Sequence, residues 1–194
     1  VRLKRLIETD RELPAESSGR NKSGYAFFDQ PPPGRGREVT YSEFGSFALL
    51  LAMRLMDAGL PQSEAVLFIR RIRAELEQAH GRILRQSPGD LIDHHAPGGV
   101  DEELKMGQLV EKFDNMLFLV TPGGEQGGQV SIRQESGGRF RVANIARGAA
   151  EVTEIMAHQA RWSGLPIICM ELVNPAHQLA YWLARIEPVK RGRK

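Results

Sequence analysis

The sequence predicts an α+β fold, with a mostly helical front part followed by a small antiparallel sheet with helices, and three observations carry that expectation. Residues 42–84 repeat apolar side chains at helical spacing, interrupted at Gly59 and Pro61. Three short strand-like runs fall between residues 116 and 145, separated by glycine-rich turns. Two further helical stretches then bracket an apolar run at 165–173. Strands and helices segregated in this way, rather than alternating strictly, define the α+β class.

The elements follow in chain order. Residues 2–11 are expected to form a short helix, because Leu3, Leu6 and Ile7 share one side and Pro14 comes soon after. Residues 15–38 are rich in Gly, Ser, Pro and Arg, with one apolar island at Tyr25-Ala26-Phe27-Phe28. The island reads as a loop or as one strand of a hairpin, with Arg37-Glu38-Val39-Thr40 as the other. Three consecutive prolines make the connection at 29–36 stiff and extended.

From Ser42 onward Phe44, Phe47, Ala48, Leu51 and Leu55 line one helix side, while Leu49, Leu50, Met53 and Met56 fill much of the rest. A helix apolar nearly all round belongs at a centre, of a domain or of a subunit contact. Gly59 stops it. Ser63 is expected to cap the next helix, which runs to about Leu84. Along that helix Ala65, Ile69, Ile72, Leu76, Ala79 and Ile83 recur at alternating steps of four and three. This is the seam spacing of helices that pair along their length. It fits packing against the chain's own core or homodimerisation.

Residues 87–102 read as a linker, with Pro88-Gly89 and Pro97-Gly98-Gly99. Residues 103–115 are expected to be helical. Strands are expected at 116–121, 129–134 and 139–145, then a helix at 149–162, a buried strand at 165–173, a helix at 175–186 and a basic tail at 189–194. The domain expectation is therefore 1–86, then the linker, then an α+β domain at 103–188.

Composition narrows the function classes. The chain has 194 residues, 41% hydrophobic and 26% charged, which suits a globular core that needs no disulfide or metal staple. The longest apolar stretch, 47–53, is far short of the roughly 20 residues a bilayer crossing requires. The opening Val-Arg-Leu-Lys-Arg-Leu-Ile runs into Glu-Thr-Asp, unlike a signal peptide. The single cysteine, Cys169, sits in an apolar run and reads as a small core residue, and the expected compartment is the cytoplasm. No cofactor is expected.

Net charge is +2, unevenly distributed. Between residues 86 and 138 nine acids face three bases, so the remainder is clearly basic. Enzyme signatures are weak. Asp93-His94-His95 looks like part of a metal phosphoesterase motif, but no paired aspartates lie upstream to clamp two metals, and a looser site would add only Asp90. Neither a phosphate loop nor a Gly-x-Ser-x-Gly elbow is present. His158 and His177 fall in helical segments and read as structural or exposed, so no catalytic residue is assigned.

The nucleic-acid reading rests on arrangement. Arg20, Lys22, Arg35 and Arg37, with Tyr25 among them, lie in the Pro- and Gly-rich segment, and Lys4 and Arg5 lie on the first helix. Such cations supply sequence-independent, salt-sensitive affinity for phosphates. Ser23-Gly24-Tyr25, then Tyr41-Ser42-Glu43, the helix to Ala58-Gly59-Leu60, and Ser63-Glu64-Ala65-Val66 together resemble the wing and following helix pair of MerR-type winged-helix regulators. The resemblance covers residues 20–70, with 29–38 as an insertion. It implies a winged-helix-like front domain and a dimer that binds double-stranded DNA. It also implies that Arg20, Lys22 and Tyr25 lie near phosphates and that the helix after Ser63 helps dimerisation. The expected function is a DNA-binding transcriptional regulator, with a C-terminal domain for assembly or for sensing a partner. The rivals are a protein-interaction module and a small metal hydrolase around Asp93, His94 and His95.

Overall fold

The computed structural model describes residues 2–14, 24–32, 40–87, 117–122, 144–163 and 166–186. Among these residues the elements are α1 Arg2–Glu12, α2 Glu43–Asp57, α3 Gln62–Leu84, β1 Leu117–Pro122, β2 Asn144–Arg147, α4 Gly148–Ser163, β3 Ile167–Glu171 and α5 Val173–Leu183. The fold is α+β, as expected. No helix among the described residues is long and apolar enough to cross a membrane. The expected helix at 103–115, the strand at 129–134 and the tail lie outside the described residues, as do 88–102 of the expected linker.

α2 and α3 form a hairpin whose ends the sequence dictates. Ser42 is extended, and its Oγ accepts the Gly45 N–H at 3.0 Å, filling one of the orphan donors of the first turn. At the other end Gly59 takes φ +94, the left-handed region open to glycine, and Leu60 N–H reaches back to the Leu55 carbonyl at 3.0 Å. α3 starts earlier than expected: Pro61 stands at its N-cap without a side-chain cap bond, and Ser63 is an exposed residue of the first turn.

Gly45 is set by a close approach. A Cβ there would lie 2.6 Å from the Phe27 carbonyl oxygen, a backbone atom that cannot swing aside. Gly45→Ala is therefore expected to lower stability by about 1–3 kcal/mol, despite alanine's better helix propensity. Thermal unfolding of the variant checks this, and a stabilised variant would contradict the packing of α2 on residues 24–32.

Residues 24–32 form no strand, which corrects the hairpin reading of Tyr25–Phe28. The reason is local. The N–H groups of Ala26 and Phe27 are taken by the Asp10 carboxylate instead of by a neighbouring strand. Ala26, Phe27 and Phe28 are nonetheless buried, as part of the core.

The sheet has the order β2-β1-β3, with both pairings antiparallel. Because side chains alternate along a strand, Leu119 shares a face with its partners Ile145 and Met170, and Thr121 with Ile168. This face meets the helices, and Leu119 and Ile168 join the same core cluster as α2 and α3. α4 packs against β1 and β2. At the end of this order among the described strands, β3 buries only Ile168, so the expected buried strand is half-covered and Cys169 is exposed rather than a core residue.

α5 closes the structure by packing against both α2 and α3, with Val173 and Ala176 buried. The core cluster thus draws on both sides of the expected linker: Phe47, Leu55, Ile69 and Leu76 in front, Leu119, Leu172 and Ala176 behind. α1 adds Leu6, whereas Leu3 is exposed instead of sharing in the apolar side.

Candidate functional site

Two polar clusters stand out, and the first joins α1, α3 and residues 24–29. Asp10 is fully buried and Arg70 is 1% exposed. The Arg70 Nε donates to Asp10 Oδ1 at 2.7 Å, its Nη1 to the Pro14 carbonyl at 2.6 Å, and its Nη2 to the Asp10 and Leu13 carbonyls. The Asp10 carboxylate also accepts the N–H of Ala26, at 2.9 and 3.0 Å, and that of Phe27 at 3.1 Å. A buried ion pair is tolerable only when its remaining donors and acceptors are met in this way.

Arg73, one turn on, donates from Nη1 to the Ala26 carbonyl at 2.9 Å and from Nη2 to Asp29. The Arg70 guanidinium also lies 5.6 Å from the centre of the Tyr25 ring, and Phe28 meets Tyr25 edge-on and Tyr41 at 5.4 Å. Burial pushes the Tyr41 phenol above its ordinary value, with Arg11 opposing and Asp10 adding to the rise. The cluster ties the chain at Pro14, at Tyr25–Asp29 and at Tyr41 onto one edge of the helical part.

The second cluster lies where α5 meets α2 and α3. His80 is buried, stacked on Phe47 at 4.6 Å and edge-on to Phe44 at 5.9 Å. Opposite it, on α5, is His177. At the start of α5 the Glu171 carboxylate accepts the N–H groups of Val173 and Asn174, satisfying first-turn donors from outside the helix. Burial pushes the Glu171 carboxyl above its ordinary value, against the pull of these bonds and of Arg54.

Of the residues expected to touch DNA, Lys4 and Arg5 are exposed on α1, and Tyr25 is half-buried with its ring engaged as above. Lys4 lies 3.6 Å from Glu8, and Arg2 pairs with Asp57 at 2.6 Å. Both pairs are open to water, where such contacts contribute little and yield readily to a competing phosphate. Arg20, Lys22, Arg35 and Arg37 lie outside the described residues, as do Asp90, Asp93, His94 and His95. Among the described residues no three His, Cys, Asp or Glu side chains are grouped to hold a metal.

The dimerisation residues Ala65, Ile69, Ile72, Leu76, Ala79 and Ile83 are all buried within the single chain, none above 6% exposed. The chain's own core covers the seam, so a second copy would have to use another face. The sequence reading missed Asp10, Arg70, Arg73 and His80. A signal exists for each: Asp10 follows Leu6 by one turn, and Val66, Arg70, Arg73 and His80 run beside the seam at helical spacing.

No family model matches the chain, and comparison with curated proteins and with solved structures likewise finds no match.

Proposed function

We propose that the protein is a DNA-binding regulator that acts as a dimer in the cytoplasm, with the sheet and its helices serving assembly or partner sensing. The observation that carries the reading is the buried Asp10–Arg70–Arg73 cluster. Residues 15–23, with Arg20 and Lys22, run from Pro14 to Gly24; residues 33–39, with Arg35 and Arg37, run from Pro32 to Thr40. Pro14, Tyr25, Ala26 and Asp29 are all bonded to Arg70 or Arg73, and Tyr41 packs on Phe28. The described residues that flank both basic stretches therefore lie on one edge of the helical part, beside the helix that bears Lys4 and Arg5. Holding cations between fixed points lowers the ordering cost of meeting a polyanion. The α2–α3 hairpin turning at Gly59 agrees with the helix pair of the MerR resemblance, whereas residues 24–32, where that resemblance puts part of a wing, form no strand.

Gel retardation on genomic DNA fragments at several salt concentrations tests the reading. A variant with Arg20, Lys22, Arg35 and Arg37 all changed to Ser is expected to bind more weakly, with the slope of log K against log salt reduced by up to about 3.6. No retardation at any salt, or an unaltered slope in the variant, overturns it.

One observation favours a protein-interaction module as the second reading. Trp182 and Ile186 are 60% and 63% exposed at the end of α5, beside Tyr181, whose ring carries the Arg185 guanidinium at 3.3 Å. Trp, Tyr and Arg are the residue types that dominate interface centres. Under this reading the quadruple serine variant loses nothing.

A further inference from the structure

We propose that the contact of α5 with α2 and α3 is a pH-sensitive latch, held shut by neutral His80 and His177 and released when this pair takes up protons. Both imidazoles sit in the contact itself. His80 projects from α3 onto Phe44 and Phe47 of α2, and His177 projects from α5 and hydrogen-bonds the Ile83 carbonyl of α3. Nε2 of each ring is sealed from solvent without a hydrogen-bond partner. A neutral imidazole tolerates such a nitrogen as an idle acceptor. A protonated one must place a donor and a positive charge there, with no acceptor supplied.

The charges among the described residues do not relieve that cost. From α2 the contacts on His80 are the uncharged rings of Phe44 and Phe47, and Arg54 acts on Glu171 rather than on either histidine. On α3 itself Arg73 lies 5.0 Å from the centre of Phe44, the ring that His80 meets edge-on, and brings a positive charge rather than an acceptor. From α5 the titratable group acting on His80 is His177, a like charge once protonated. Burial accordingly holds both histidines below 6.5; His177 lowers His80 further, whereas the Ile83 carbonyl opposes the fall for His177. Glu171 works in the other direction, since its raised carboxyl takes up a proton more readily in the closed form.

The sign follows from linkage. The closed form binds fewer protons than the open one wherever the histidines stay neutral in it and ionise outside it. Closure is fully favoured above about pH 6.5 and is lost as pH falls below it. Each imidazole shifts the closed-to-open ratio by up to tenfold per pH unit, and the pair by up to about a hundredfold.

Hydrogen exchange of the whole chain between pH 7.5 and 5.5, corrected for the intrinsic pH dependence of exchange, tests the latch. The protection of α5 is expected to fall by tenfold or more from pH 6.5 to 5.5, ahead of α1. In the His80→Phe/His177→Gln double variant, where Phe keeps the stack on Phe47 and Gln keeps a donor for Ile83, α5 protection should stay level. Flat protection in the native chain, or the same fall in the double variant, overturns the proposal. Should that variant not fold, NMR titration of the five histidines of the native chain decides. Two imidazoles titrating well below 6.5, together with shifts of α5 amides, support it; all five titrating near 6.5, or no α5 response, sinks it.

Discussion

Replacing Arg70 with methionine should lower the unfolding free energy by about 3–5 kcal/mol, the usual consequence of leaving one member of a buried ion pair without its counter-charge. Methionine keeps the apolar stem but strands the Asp10 carboxylate, which is fully buried, and releases the Pro14, Asp10 and Leu13 carbonyls from their shared donor. Against a total stability of about 5–15 kcal/mol, such a loss approaches global unfolding. Urea denaturation of Arg70→Met, Asp10→Asn and the double variant forms a cycle whose coupling term isolates the pair. A loss below about 1 kcal/mol would mean that the pair behaves like an exposed one, and the anchoring argument for the basic stretches would fall with it.

Leu76→Ala is expected to cost about 2–5 kcal/mol, the range for opening a cavity at a fully buried leucine. The informative part is its concentration dependence. Since Leu76 is covered by its own chain, the loss should be the same at micromolar protein and at a hundredfold dilution. At a subunit contact it would change with protein concentration by mass action. Denaturation curves at two concentrations therefore separate the two readings of the seam, without knowledge of the partner.

Much of the helical part was legible in the sequence. The spacing of Phe44, Phe47, Leu51 and Leu55, the cap at Ser42 and the stop at Gly59 fix α2 within a residue, because helix ends are set by local backbone needs. β1, α4 and the order of the last elements were read in the same way. The misreadings share one cause, dependence on residues distant in the chain. Asp10 and Arg70 are 60 positions apart, so each reads locally as a solvated charge on a helix. Tyr25–Phe28 has strand composition, but Asp10 claims the N–H groups that a strand would use. Cys169 reads as core from its apolar neighbours, yet among the described strands β3 is the last of the sheet and its Cys169 is exposed. The seam was found, but periodicity reports that a face is apolar, not whose surface covers it. For the candidate site, the sequence named cations; the buried cluster that holds their flanking residues together arises only in the folded chain.

The position of α5 bears on how the polypeptide matures on the ribosome. α2 and α3 are complete once residue 84 has emerged, but the surface around Phe47 and His80 waits for residues 173–183, translated nearly ninety codons later. At ordinary elongation rates that interval lasts about 4–18 s. During it the side of the hairpin that α5 packs against is without that helix, so its burial is completed late in synthesis.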